Sequence, residues 1–183
     1  YELEGDATST SSSTYDGADT AVAWVPLYDG IPTSMQYSAP SVSAPFLKAG
    51  DFNGSSSYVL LGDNTFNSLT SFSFSCWVNL NNAPTGYEYL FDGWDYQSAS
   101  SRGLIVRITP SANIQANTGF SNSTTNITSS GTITHSVWTH IVATFSQSHT
   151  TISINGNIES PQSNGGFNFF TGTTYNLGAF IYT

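Results

Sequence analysis

At 183 residues, with 8% charged side chains, 14% aromatics and a net charge of −9, the chain suits one substantial domain and is short for two. Lys48, Arg102 and Arg107 are its only lysines and arginines, so no basic patch exists to neutralise phosphates, and nucleic-acid binding is excluded. No apolar run approaches the roughly 20 residues of a membrane span, and Ser, Thr, Asn and Gly take the places that Ala, Leu, Glu and Lys fill in helical proteins.

In chain order, Tyr1 to Asp6 read as a first strand with Glu2, Glu4 and Asp6 on one side. Carboxylates two apart on a strand lie roughly 6.5–7 Å apart along it, a separation compatible with glycoside hydrolysis. No separate proton donor accompanies them, so the reading is a solvated strand face. Ala7 to Asp19 is Ser/Thr/Asp-rich loop, and Thr20 to Leu27, with Trp24, is a predicted strand. Tyr28 to Pro45, with its repeated prolines, reads as an irregular excursion over the surface. Phe46 to Asp63 gives a strand, a turn at Asn53-Gly54 and a strand centred on Tyr58 to Leu61.

Leu69 to Leu80 is the clearest core strand. Phe72, Phe74, Cys76, Val78 and Leu80 share one face, while Ser71, Ser73, Ser75, Trp77 and Asn79 share the other. Cys76, the one cysteine, sits in that apolar row with no electropositive niche to activate it, and reads as core rather than as a nucleophile. Glu88 to Trp94, Gly103 to Thr109 and Asn113 to Thr118 are three further strands, and Gly119 to Gly131 reads as a polar loop. Val137 to Phe145 then places Ile141, Ala143 and Phe145 inward, with Trp138, His140, Val142 and Thr144 opposite. His140 is expected to steady this meander beside Trp138. After a polar turn, Thr150 to Asn155 alternates again, and Asn155-Gly156 is a strong hairpin signal because a tight primed turn needs positive φ at both central residues. Gly165 to Thr173 reads as loop and Tyr175 to Phe180 as a last strand. Asn53, Asn122 and Asn126 head glycosylation-type triplets that chance explains in a chain this rich in Asn, Ser and Thr.

About ten short strands and no credible helix predict an all-β chain: an antiparallel two-sheet β-sandwich of jelly-roll type, formed by residues 1–183 as a single domain. Several segments carry a resemblance. They are Tyr1-Glu-Leu-Glu-Gly-Asp, Lys48-Ala-Gly-Asp-Phe-Asn-Gly with Ser57-Tyr-Val, and Phe72-Ser-Phe-Ser-Cys-Trp-Val. Trp138 to Phe145, Ile154-Asn-Gly and Tyr175-Asn-Leu-Gly-Ala complete the set. In this order they resemble the laminin G-like branch of the concanavalin A-like lectin/glucanase superfamily. That family continues after the Leu-Gly into a closing strand beside the first, and only Phe180 to Thr183 remain here. The resemblance therefore implies a sandwich lacking its closing C-terminal strand, and a chain that is a segment of a larger polypeptide or assembly.

The superfamily holds both enzymes and binding domains, so the fold alone decides neither. Its laminarinase-type hydrolases carry Glu-x-Asp-x-x-Glu or Glu-x-Asp-x-Glu on one strand, a pattern missing from this chain, and there is no Gly-x-Ser-x-Gly elbow to go with His135, His140 and His149. The expectation is a non-enzymatic recognition or adhesion module on an extracellular, cell-surface or virion-surface protein. Its expected ligand is a glycan held by aromatic stacking and by hydrogen bonds from Asn, Asp, Ser and Arg. The candidate site is the loop from Asp92 to Arg102, with Trp94 and Tyr96 as platforms and Asp92, Asp95 and Arg102 as polar partners; Trp77 is a second platform. The competing reading has Trp94 and Tyr96 cap the end of the core. No cofactor is required. If calcium binds, as in related lectin-like domains, Asp63, Asp92 and Asp95 with Asn64 are its expected oxygen ligands. The rival function is a structural decoration or fibre domain that contacts neighbouring protein subunits in a homo-oligomeric assembly and binds no sugar.

Overall fold

The computed structural model describes residues 18–20, 23–26, 48–61, 66, 69–95, 102–120, 123–169 and 175–178. Among them are fourteen strands and no helix. A seven-stranded antiparallel sheet runs in the order β1 (Ala18–Thr20), β4 (Tyr58–Leu60), β14 (Asn176–Leu177), β6 (Glu88–Asp95), β7 (Arg102–Ile108), β8 (Asn113–Phe120), β9 (Ser123–Thr132). A second, five-stranded sheet contains β5 (Phe72–Val78), β10 (Thr139–Phe145), β11 (His149–Ile154) and the short β12 (Asn157–Ile158) and β13 (Gln162–Ser163), both paired to β11. β2 (Ala23–Pro26) and β3 (Lys48–Asp51) form a separate two-stranded ribbon. The predicted two-sheet sandwich is the architecture observed. The first strand expected at Tyr1 to Asp6 and the stretch after the Leu-Gly, where the closing strand was expected to be lacking, lie outside the described residues.

Alternation builds the core. β10 buries Ile141, Ala143 and Phe145 and pairs in register with β5, Phe145 opposite Phe72 and Ile141 opposite Cys76. Facing them, the large sheet contributes Val59, Phe91, Leu104, Val106, Ile108, Ile114, Ala116 and Ile127. One end of this interior is aromatic: Phe72 of the small sheet lies 5.1 Å from Phe91 of the large one, and Tyr175 meets Phe66 edge-on at 4.8 Å and Phe169 at 5.5 Å. Such pairs contribute about 0.5–1.5 kcal/mol each beyond the area they bury.

The turns follow their chemistry. Asn155 and Gly156 have φ of 51° and 81°, as a primed hairpin turn requires. Asn53 is an organiser rather than a free acceptor for a glycan: its Oδ1 accepts the backbone N–H groups of Ser55, Ser56 and Ser57, and its Nδ2 donates to Ser56 Oγ. The predicted Thr20–Leu27 strand contains β2 and starts on the last residue of β1, whose Ala18 and Asp19 were expected to be loop. The predicted loop from Gly119 to Gly131 is mostly strand, because β8 runs to Phe120 and β9 spans ten residues. Its threonines are β-branched and fit a pleated edge whose outer face stays polar, with Ile127 and Ser129 alone turned fully inward.

Glu159 clips the two sheets together at that edge. Its Oε1 accepts Ser130 N–H at 2.8 Å, Ser130 Oγ–H at 2.9 Å and Gly131 N–H at 3.1 Å. Glu159→Ala is expected to cost about 1–2 kcal/mol, with Glu159→Gln recovering part of it, in equilibrium denaturation. Cys76, partly buried against the core, has its thiol pushed up to about 12 from an ordinary 9.0 by burial. Between those values the unfolded chain releases a proton that the folded chain keeps, so stability falls as pH rises, by at most about 1.4 kcal/mol per pH unit. The difference between the wild-type and Cys76→Ala stability curves above pH 9.0 measures this contribution, and a flat difference would contradict it.

Candidate functional site

Strand β6 decides which side chains leave the core. Phe91 packs inward, and a Cβ added at Gly93 would lie 2.8 Å from the Tyr175 ring, so residues 91 and 93 face the small sheet. Asp92 and Trp94 therefore point to the outer face of the large sheet. Register then assembles three parallel rows there. Trp94 is opposite Gly103, which is opposite Gly119, which is opposite Thr124. Asn176, Asp92, Ile105, Asn117 and Asn126 form the next row on five consecutive strands. Tyr89, Arg107, Gln115 and Thr128 form the third.

The middle row deepens from the sheet edge inward. Asn126 on β9 is exposed, whereas Asn117 is 6%, Ile105 4%, Asp92 1% and Asn176 2% exposed. Ile105 is buried without belonging to the core cluster, as an outward residue on a covered face should be. Asp92 Oδ1 accepts the N–H of Trp94 at 3.1 Å. The Oδ1 atoms of Asn117 and Asn176 are buried with no hydrogen-bond partner.

The third row is a rigid polar cluster. Arg107 donates from Nε and Nη2 to Gln115 Oε1 at 3.0 and 2.7 Å, and from Nη1 to Tyr89 Oη at 3.0 Å. Gln115 Nε2 donates to Thr128 Oγ1 at 2.9 Å. The guanidinium carbon lies 3.8 Å from the centre of the Tyr87 ring, which is 48% exposed. This cation–π contact holds one face of the tyrosine while leaving much of it open.

The predicted site residues divide. Asp92 and Trp94 share the outer face just described. Asp95 ends β6 opposite Arg102 at the start of β7, so the first four residues and the last residue of the predicted Asp92–Arg102 loop are strand, and residues 96–101 lie outside the described residues. Asp92 is a strand residue, as the predicted Glu88–Trp94 strand had it, and is buried, where the candidate loop site had it as a polar partner of a ligand. Tyr96, Asp63 and Asn64 lie outside the described residues, as do Glu2, Glu4 and Asp6. Among the described residues, no three His, Cys, Asp or Glu side chains gather into a metal-binding group.

Trp77 lies on the outer face of the small sheet, on the opposite side of the sandwich from Asp92 and Trp94, and is 36% exposed. It stacks on His140, its cross-strand partner, with ring centres 5.0 Å apart, and His140 Nε2 lies 2.9 Å from Ser75 Oγ. His140 thus pairs with Trp77 across the sheet, where the sequence placed it beside Trp138. A Ser–His contact of this length is the start of a nucleophile–base pair, but no carboxylate among the described residues orients the imidazole.

Sequence reasoning passed over Tyr87, Tyr89, Arg107 and Gln115. The legible signal was Tyr87-x-Tyr89 leading into a strand, and Arg107 alternating with Leu104, Val106 and Ile108. What it lacked was the pairing of β7 with both β6 and β8.

A profile of the concanavalin A-like lectin/glucanases superfamily matches residues 53–179. Among solved structures, domain 4 of AbnA, a GH43 extracellular arabinanase from Geobacillus stearothermophilus, solved with arabinotriose, superposes with a TM-score of 0.68. It shares 18% identity over 97% of this chain and 80% of that one. The chain HCR/D-Sa-GBL1/C gives a TM-score of 0.59 at 15% identity, over 97% of this chain and 43% of its own length. Domains LG4-5 of the mouse laminin alpha1 chain give 0.52 at 6% identity, over 66% and 31%. At these identities the likeness is one of fold, and this chain spans less than half of the last two. Comparison with curated proteins finds no match.

The mouth of the β6–β7 hairpin depends on Gly103, whose φ is +117°; a Cβ there would collide with the carbonyl oxygen of Gly93 and press on the Trp94 backbone. Gly103→Ala is expected to cost about 2 kcal/mol or more and to change the tryptophan fluorescence of the folded state. A variant with unchanged stability and spectrum would contradict this close approach.

Proposed function

The chain belongs to the concanavalin A-like lectin/glucanases superfamily, and we propose that it is a non-catalytic recognition module that binds carbohydrate on the outer face of its large sheet. One observation carries this reading: Arg107 is held rigid by Gln115 and Tyr89 while stacking on a half-exposed Tyr87. A neutral sugar binds to an aromatic face flanked by planar hydrogen-bonding groups whose positions are fixed beforehand, because little side-chain entropy is then lost. Arg107 uses three of its five N–H donors within the protein, which leaves two for a ligand. Trp94, beside glycines on the two neighbouring strands, supplies a second aromatic surface across the amide row.

The absence of a catalytic role is part of the proposal. Glu159 spends an oxygen on Ser130 and Gly131, and Asp92 accepts a backbone N–H in a buried position, so neither offers the paired acid and base of a glycosidase. The same fold in domain 4 of AbnA is described with arabinotriose, which makes a short neutral oligosaccharide the first ligand to test. We place the module in an extracellular or surface protein, as one domain of a larger chain, binding without calcium. Asp95 and Arg102, opposite each other at the ends of β6 and β7, alternate to the other face from Trp94 and are not part of this surface, and Trp77 belongs to a separate face.

A glycan array followed by titration tests the reading. Tyr87→Ala and Arg107→Leu are each expected to weaken binding at least tenfold, about 1.4 kcal/mol or more. Trp77→Ala and added chelator should leave it unchanged. A chain that captures no glycan on the array would defeat the proposal and favour a structural module that contacts neighbouring protein subunits, and glycan binding that survives both substitutions undiminished would defeat its placement on this face.

A further inference from the structure

Resting on the reading of the chain as a carbohydrate-binding module, we propose a second saccharide site on the opposite side of the sandwich. It is a cleft on the outer face of the small sheet, lined by Thr144, Phe145, Ser146, His149, Thr151 and Pro161, and its ligand is a neutral sugar of one or two rings. The cleft is open to solvent and holds about 530 Å³, a size usual for small-molecule sites. Thr144, Ser146, His149 and Pro161 are exposed and Thr151 is half-buried, so a ligand can reach the lining.

Pairing builds the cleft. Thr144 on β10 lies opposite Thr151 on β11, and both turn away from the buried Ala143, Phe145 and Ile152. Beyond Thr151 the edge of the sheet is irregular. Two residues separate Thr150 from Ser153 on β11, but three separate their partners Gln162 and Ile158. The extra residue makes a bulge, and Pro161, which has no N–H to give to a ladder, falls in it. The other wall is the turn from Ser146 to His149. Ser146 Oγ accepts the N–H of His149 at 3.1 Å and donates to its carbonyl at 3.2 Å. Asn164, 1% exposed, donates from Nδ2 to the Ser146 carbonyl at 2.8 Å and from its backbone N–H to the Ser148 carbonyl at 3.1 Å. Walls fixed in advance lose little entropy on binding.

The lining selects the occupant. Its polar groups include the hydroxyls of Thr144 and Thr151 and the imidazole of His149, each able to donate or accept. His149 Nδ1 lies 2.9 Å from Ser148 Oγ, which leaves Nε2 for a ligand. The threonine methyls and the Pro161 ring offer apolar surface to the C–H face of a sugar. Among the described residues, no Lys, Arg, Asp or Glu lines the cleft, so it has no fixed charge to hold a phosphate, a uronate or a metal ion. An extended peptide would need a continuous free edge, and β12 and β13 are two residues each with Pro161 between them. Trp77 stands apart on this face, since its partner His140 precedes Thr144 by four residues, roughly 13 Å along β10. With a proline in place of a tyrosine ring, the cleft is the weaker of the two sites.

Amide-shift mapping by NMR tests the cleft in the unaltered protein, titrated with arabinotriose and with the neutral mono- to trisaccharides retained on the array. Two separate sets of shifts are expected, one around Tyr87 and Arg107 and one around Thr144, His149 and Thr151. Isothermal titration should find two equivalents of ligand. The Tyr87→Ala/Arg107→Leu double variant should keep only the weaker one. Thr144→Tyr, which fills the cleft from an exposed strand position with a good strand former, should lose that equivalent. His149→Ala should weaken it about fivefold or more, and Trp77→Ala should leave both. Shifts around Tyr87 and Arg107 alone overturn this inference and leave the carbohydrate reading standing. Shifts around the cleft alone support it and remove the ligand from the large sheet. No binding by the wild type overturns both. Cleft shifts that follow protein concentration and ignore sugar mark a contact between copies, which also overturns it.

Discussion

Tyr175 against Gly93 is the contact on which the geometry of this molecule turns. The phenol ring is fully buried, edge-on to Phe66 and Phe169 and stacked at 6.4 Å with Phe91, and it occupies the space that any side chain at position 93 would need. A ring locked between the sheets leaves the following residues no choice of side. Asn176 must point outward, and the two-residue strand it begins must slot between β4 and β6. Pairing then puts Asn176 beside Asp92. A short strand held by only a few ladder bonds owes its register to the anchor that precedes it.

That anchoring explains why the outer face of the large sheet is ordered although it contains so little charge. With three lysines and arginines in the whole chain, order there cannot come from ion-pair networks. It comes from a single guanidinium distributed among an amide, a phenol and an aromatic face. Arginine suits this position because its planar fork donates in fixed directions while its π-face stacks, and a lysine would supply neither. The two sheet faces differ in the same terms. On the small sheet Trp77 stacks on His140, whose Nε2 lies against Ser75 Oγ, amid small hydroxyl side chains such as Ser73 and Thr144. The large sheet carries aromatics on both flanks of a polar row. A binding surface needs both the flat apolar contact and the directed polar groups, and the large sheet, unlike the Trp77 end of the small one, brings them together.

The local chemistry was open to reading from the chain itself. Period-two alternation in Leu69 to Leu80 and Val137 to Phe145 marked the core faces of β5 and β10, Asn155-Gly156 marked its turn, and Cys76 was placed in the apolar row where it lies. Asp92 and Trp94 were read both as the end of the strand Glu88 to Trp94 and as the start of a candidate loop; they belong to the strand, whose alternation is masked by Gly93. β9 was misread because Ser, Thr and Asn are loop residues by composition, and its strand character comes from pairing with β8 along its length. His140 was given Trp138 as a neighbour because they are close in sequence, although residues two apart on a strand share a face without touching as directly as a cross-strand pair.

What the amino-acid order determined alone was the all-β class, the sandwich and the division of each strand into an inward and an outward row, because side-chain alternation is a local property of extended backbone. Which outward residues stand side by side was decided by tertiary structure. Strands distant in sequence become neighbours in the order β14-β6-β7-β8, and the energy that selects that order comes from the buried aromatic packing between the sheets, which no single stretch of chain contains.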